Sequence, residues 1–375
     1  MKVEKVTLDN FRNYQEQEIT FRDGLNVICG LNASGKTNLM ESIFVAAIGR
    51  SPRTKNEKEL IKIGEEKAYI HLSLEKKFRS HKINVEIDKA EGKKINIDGA
   101  KITRLGELIG LLTVVYFSPD ELKMIKEAPQ ERRRFMDLSL SQENKPYYVA
   151  LSKYNYLLAQ RNKLMKSSDF AEFSQTAFIW ETQMADAAAD IIIKRRAFIE
   201  KIGKISDEYH RRIAGENEDI ALLYEPCAEG ADKEKIKENL LAKYEESHEK
   251  DYELGYTTVG VHREDFNITS KGIDLRKFGS QGQQRTAALV IKLAEIEYYY
   301  SESGEKPVLL LDDVLSELDE RRRTALLEAT KGTQTLITCT EFHENITAYH
   351  KIEINKGTLV NREIVTQKEG ERLAE

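Results

Sequence analysis

Residues Gly30-Leu31-Asn32-Ala33-Ser34-Gly35-Lys36-Thr37 match the pattern G-x-x-x-x-G-K-[ST], and no other stretch constrains the fold so tightly. The glycines permit a tight loop whose backbone N–H groups converge, a geometry suited to phosphate oxygens. The pattern requires a strand before it and the start of a helix after it. Both are legible here. Gly24 to Cys29 reads as a short apolar strand, and Asn38 to Phe44 has helical period. The positive end of that helix adds to the anion site. Lys36 is placed to reach the β- and γ-phosphates of a nucleotide, and the Thr37 hydroxyl to coordinate Mg²⁺.

Two further segments fit the same chemistry. Val308-Leu309-Leu310-Leu311-Asp312-Asp313 is an apolar strand ending in two acids. Ligands of open α/β sheets bind at such strand ends. Beside a phosphate loop, Asp312 is expected to partner Mg²⁺, directly or through water, and Asp313 to polarise an attacking water. Phe278 to Thr286 precedes a helix running to about Tyr300, with Ser280 as a natural N-cap able to hold an anion. Its S-x-G-Q, about thirty residues before the acidic strand end, resembles the signature loop of ABC-type ATPases. In that class the signature of one subunit contacts the γ-phosphate held by the other.

The 375 residues fit two packed domains, or one large α/β domain with an insertion. With 40% apolar and 32% charged residues, wholesale disorder is excluded. Apolar runs such as Val308 to Leu311 fall far short of the ~18–20 residues of a membrane helix. Met1 to Val6 alternates charged and apolar residues without an apolar h-region, so no secretion signal is expected. Cys29, Cys227 and Cys339 lie far apart without C-x-x-C, which favours a reducing cytoplasm over a disulfide framework or zinc site. The seven histidines form no H-x-x-x-H pair, so no transition-metal site is expected.

Net charge is −5, yet residues 1–110 carry 20 Lys and Arg against 16 Asp and Glu. A phosphate-binding face must therefore be a local patch. Arg132-Arg133-Arg134 could contact DNA phosphate or form a solvated helix face. Strand patterns dominate to about residue 115, with a hairpin at Lys94 to Ile102 and a strand at Thr113 to Phe117. From Pro119 to His248 the pattern is helical, with one strand at Asp219 to Tyr224. Strands and helices alternate again from Asp251, Thr335 to Cys339 among them. The expected architecture is an α/β head built from residues 1–118 and 251–375, with a helical lobe at 119–250 inserted between.

The joint motifs resemble the RecF family, within the ABC/SMC-type P-loop ATPases. The resemblance rests on Leu8 to Tyr14, the loop through Leu39, Phe117 to Asp120, Arg132 to Asp137, Gly260 to Asp265, Ser280 to Thr286 and Asp312 to Asp319. Ala33 stands where the family usually has glycine, and Val261 where it has proline. No Q-loop glutamine follows Val115, and His343 is the histidine nearest the switch position at Thr340. The resemblance implies ATP and Mg²⁺ as cofactors. It implies nucleotide contacts from Arg12, Gly30, Leu31, Asn32, Ala33, Ser34, Gly35, Lys36, Thr37 and Asn38, and from Ser280, Gln281, Gly282 and Gln283. Lys36, Asp312, Asp313 and Ser280 would be catalytic, with Thr37 and Asp312 at the metal. It further implies slow ATP hydrolysis, an ATP-dependent homodimer, sequence-independent DNA binding at gaps or junctions, and RecO- and RecR-like partners in repair, replication and the SOS response. Two alternatives stand beside it: the ATP-binding subunit of a membrane transporter, and a nucleotide-gated DNA-binding module with negligible hydrolysis. A transporter subunit would be expected to carry L-S-G-G-Q, a Q-loop and a switch histidine, and to lack Phe11-Arg12-Asn13-Tyr14.

Overall fold

The computed structural model describes residues 1–215, 218–342, 346 and 348–366, so His343 lies outside the described residues. The chain divides into two compact units, Met1–Glu121 with Glu295–Glu375, and Leu122–Ala294. No described helix is long and apolar enough to cross a membrane.

The first unit holds two six-stranded sheets. One is antiparallel and runs, in spatial order, Glu16–Thr20, Lys2–Asp9, Lys67–Glu75, Ser80–Asp88, Gly92–Ile97 and Ala100–Lys101. Its strands alternate, as a sheet with one buried face must. Ala68, Ile70, Leu72 and Leu74 turn inward beside Ile83, Val85 and Ile87. The other sheet runs Thr358–Thr366, Ala348–Asn355, Leu25–Cys29, Thr335–Cys339, Val308–Asp312 and Val114–Phe117. All its pairings are parallel except that of the edge strand Thr358–Thr366. Val308–Asp312, Thr335–Cys339 and Val114–Phe117 are buried at every position, as parallel strands covered on both faces are. The helix Lys36–Ile48 touches strands of both sheets and is buried from Leu39 to Ile48. Its low amphipathicity follows from that: apolar neighbours surround it. Strands from both chain ends interleave, so the expected head assembled from both termini is present.

The second unit packs the helices Pro129–Glu143, Lys145–Ser167, Phe170–Thr176, Phe178–Ala214, Lys233–Glu246 and His248–Leu254. It also holds a three-stranded sheet, ordered Ile273–Asp274, Asp265–Ser270, Ala221–Glu225. Here the expected domain limits need correction. Residues 251–294, assigned from sequence to the head, belong to this unit. The strand Ala221–Glu225 cannot leave its backbone groups unpaired, and it pairs antiparallel with Asp265–Ser270. Asp251, fully buried, accepts a 2.8 Å bond from the buried Arg161, whose Nε bonds Glu181 at 2.9 Å. Separating those groups would leave an uncompensated buried charge.

A second buried arginine organises the Gly260–Asp265 motif. Arg195 donates to Asp137, to Glu264, and to the Val261 carbonyl at 2.6–2.7 Å. Glu264 also accepts from the Cys227 amide and from the Tyr224 hydroxyl. Gly260 sits at φ +132°, and a Cβ there would lie 2.1 Å from the Tyr154 hydroxyl. The DNA reading of Arg132 is overturned. It is 2% exposed, forms a two-point pair with Asp265 at 2.6 and 2.9 Å, and donates to the carbonyls of Met124 and Glu127. Arg133 donates to the Glu264 carbonyl, and exposed Arg134 lies 3.7 Å from Glu131. Arg132 and Arg133 thus close the lobe's own core, and Arg134 faces outward.

His262 supplies a pH-dependent element. Its Nδ1 accepts from Tyr154 at 2.8 Å, and its Nε2 donates to the Thr257 carbonyl at 3.0 Å, so both nitrogens are satisfied in the neutral ring. Burial pushes its pKa down to about 4; Arg263 and Arg133 add repulsion, and the Thr257 carbonyl opposes the fall. The folded-state value lies below that of the unfolded chain. Its stabilisation is therefore complete above about pH 6.5 and is lost progressively as pH falls towards 4, by about 3 kcal/mol at most. NMR titration of the imidazole should give a midpoint near 4. A His262→Gln variant should lose less denaturant resistance than the parent between pH 7 and 5. A midpoint near that of a free imidazole would contradict this.

Candidate nucleotide site

The parallel register sets the site. Cys29 lies opposite Cys339, Asp312 opposite Thr338, and Leu311 opposite Phe117, so the carboxyl ends of four strands line one edge of the sheet. The phosphate loop leaves that edge after Cys29 and enters the helix at Lys36.

The loop conformation explains its composition. Gly30 has φ +156°, and a Cβ there would lie 2.2 Å from the Ile354 carbonyl oxygen. Gly35, at φ +118°, has no room beside Asn13 and the Tyr14 hydroxyl. Ala33, where glycine is usual, adopts φ +63°, a left-handed conformation that costs an L-residue roughly 1–2 kcal/mol. The Ser34 hydroxyl is buried without a hydrogen-bond partner. Leu31 and Asn32 are exposed at the loop tip.

Lys36 Nζ folds back onto its own loop, donating to the Gly30 carbonyl at 2.7 Å and the Leu31 carbonyl at 3.0 Å. Thr37 Oγ1 donates to Asp312 Oδ1 at 3.0 Å. The two residues expected at a metal ion, 275 positions apart in sequence, are thus in direct contact. Asp312 is 5% exposed and accepts two more bonds, from Thr338 Oγ1 at 2.7 Å and the Tyr116 hydroxyl at 3.1 Å. Burial raises the Tyr116 phenol far above its ordinary pKa, with the Asp312 charge adding to it, so it remains a donor. Thr338 also accepts from the Asp313 amide at 2.9 Å. One hydroxyl therefore positions both aspartates. Asp313 itself is exposed and held at φ +54°.

The opening segment braces the loop. Asn13 donates to the Ser34 carbonyl at 3.2 Å, Tyr14 to the Gly35 carbonyl at 2.9 Å, and Asn38 to Asn13 at 2.8 Å. Arg12, expected at the nucleotide, forms a two-point pair with fully buried Glu41 at 2.8 and 2.9 Å. Its third donor meets the Glu59 carbonyl at 2.8 Å. Arg53 and Ser51 also bond Glu41.

Ser280 to Gln283 lie in the second unit. The expected N-cap is present as a capping box: the Gln283 amide meets Ser280 Oγ at 3.3 Å, and the Ser280 amide meets Gln283 Oε1 at 2.8 Å. Ser280, Gln281 and Gln283 are exposed at the start of the helix Gln281–Ser303, with Gly282 partly so. Sequence reasoning missed Tyr116, Thr338 and Glu41. Tyr116 and Thr338 sit in apolar strands, and Glu41 reads as one polar residue of a helix. Only register and packing reveal their partners.

Residues 2–358 match the family model described as the RecF/RecN/SMC N terminal domain. The chain is 43% identical to the DNA replication and repair protein RecF of Alkaliphilus oremlandii, across 91% of this chain and 93% of that protein. It is 42% identical to its counterpart in Clostridium acetobutylicum, across 95% and 97%. A solved structure described as the recombination mediator protein RecF-ATP in the RecFOR pathway superposes with a TM-score of 0.87 at 36% identity, covering 96% and 98% of the two chains. The Smc head bound to the C-winged helix domain of ScpA shares the fold, with a TM-score of 0.59 at 15% identity and full coverage of both chains. The transporter-subunit alternative falls away, and the chain belongs to the RecF family of DNA replication and repair proteins.

Proposed function

We propose that this chain is an ATP-gated, DNA-binding repair protein that hydrolyses ATP slowly as a two-fold dimer. The observation that carries the reading is the Thr37–Asp312 contact beside the folded-back Lys36. The residues fit the nucleotide. Ser34 has an unsatisfied buried hydroxyl, Gly30 and Gly35 leave no space for side chains, and Lys36 rests on two neutral carbonyls. Phosphate oxygens offer that ammonium charge-assisted bonds instead. Thr37 and Asp312 would hold Mg²⁺, a hard cation suited to oxygen ligands that keeps several waters. Such an ion would supply positive charge against the phosphate oxygens.

The remaining roles belong to the protein. Backbone amides of the loop bind and orient the phosphates. Asp313, exposed and fixed through its amide to Thr338, would orient the attacking water and accept its proton. The exposed capping box at Ser280 would donate to the γ-phosphate held by a second copy. Each site then needs groups from two chains, and a two-fold dimer completes both. In this reading the chain binds DNA at gaps or junctions and supports recombinase loading with RecO- and RecR-like partners; membership of the RecF family supports it. Candidate DNA contacts lie among the excess basic residues of 1–110.

Sedimentation tests the shared site. With ATP and Mg²⁺, Asp313→Asn should accumulate as a dimer with turnover reduced at least ~100-fold. Ser280→Arg should bind ATP as a monomer and fail to dimerise or hydrolyse. A wild-type chain that hydrolyses ATP while remaining monomeric would refute the mechanism. DNA affinity should be indifferent to sequence and fall steeply with added salt, as phosphate contacts release counterions. A salt-independent affinity, or no DNA binding in any nucleotide state, would count against the DNA reading.

A further inference from the structure

Two of the three cysteines meet at the root of the phosphate loop. Cys29 and Cys339 are 310 positions apart in sequence but directly opposite in the parallel pairing of their strands. Their sulfurs lie 3.7 Å apart and each residue is 6% exposed, within a small cluster with Val27, Leu25, Phe342 and Tyr349. Neighbouring strands run about 4.8 Å apart, inside the range of Cα separations that a disulfide spans. The thiols interact unequally. Their mutual hydrogen bond draws Cys29 towards thiolate, aided by Lys351 and Lys36 and opposed by burial and Glu353. The same interaction, with burial, raises Cys339, which retains its proton.

We propose that Cys29 and Cys339 form a reversible disulfide with a small peroxide, and that this bond disables the phosphate loop. The sulfur of Cys29 attacks one peroxide oxygen, forming a sulfenic acid and releasing hydroxide, which takes up a proton to become water. The sulfur of Cys339 then attacks the sulfenic sulfur, closing the S–S bond and expelling a second water. Two thiols are oxidised, and one hydrogen peroxide is reduced to two waters. The slight exposure of both residues leaves access for a small uncharged oxidant.

The bond acts on the neighbours of both residues. Cys29 precedes Gly30, whose carbonyl holds Lys36 and whose Cα has no free space against Ile354. Cys339 follows Thr338, which positions Asp312 and Asp313. Bringing the sulfurs from 3.7 Å to bonding distance turns both side chains within a close-packed cluster, and that repacking strains the loop root and Thr338 beside them. Phosphate-binding groups drawn out of line lose well-aligned hydrogen bonds to their ligand.

The loss of ATP affinity rests on the nucleotide reading above, whereas disulfide formation does not. In the full chain carrying Cys227→Ser, this pair supplies the only thiols. After hydrogen peroxide treatment, mass spectrometry should show the loss of two hydrogen atoms per chain and a linked peptide pair joining Cys29 to Cys339, both reversed by dithiothreitol. ATP affinity, read by calorimetry, should fall at least about tenfold on oxidation and return on reduction. Cys339→Ala in the same background should form no link and keep its affinity through the peroxide treatment. Reduced protein that binds no ATP would overturn the nucleotide reading, even where the link forms on oxidation. Separate oxidation of the two sulfurs without a link, or a linked protein that binds ATP as tightly as the reduced one, would overturn this proposal.

Discussion

The buried carboxylate of Asp312 is the point on which the head depends. A charge removed from water costs several kcal/mol unless hydrogen bonds replace its hydration. Three hydroxyls from three segments do so: Thr37 of the phosphate loop and its helix, Thr338 of one neighbouring strand and Tyr116 of the other. Bonds of this kind to a charged group contribute roughly 1.5–3 kcal/mol each. The carboxylate therefore joins the N-terminal loop to strands from residues 114–117 and 335–339. It also aims a negative group at the place where a phosphate-bound cation would be met.

That arrangement shows what the sequence could and could not convey. The loop, its flanking strand and helix, the acidic strand end and the Ser280 cap were legible because each has a local cause. Tight turns need glycine, buried strands are apolar throughout, and helix starts need side-chain acceptors. Tyr116 and Thr338 were not legible, because their meaning arises from register between strands about 200 and 26 positions away. Arg12 is a different case. Its place in a family motif suggested contact with the nucleotide, yet its donors meet Glu41 and the Glu59 carbonyl.

The second unit was misjudged for similar reasons. Alternation of strand and helix after Asp251 looked like a return to the head. The decisive groups were buried charges, Asp251 with Arg161 and Asp265 with Arg132, which hold those residues in the lobe. The run Arg132–Arg134 looked like a DNA contact because a linear sequence does not show which arginines face a carboxylate. Removing one of these buried arginines would leave its partner carboxylate stranded without a counter-charge.

The central claim is that Asp312, held ready by three hydroxyls, couples ATP binding to Mg²⁺. The most direct measurement is ATP affinity by calorimetry with Mg²⁺ and with a chelator, for the wild type and Asp312→Asn. The account predicts that Mg²⁺ tightens ATP binding by the wild type at least about tenfold. In Asp312→Asn that increment should vanish while metal-free affinity stays close to that of the wild type. A variant that keeps the full Mg²⁺ increment would contradict the assignment.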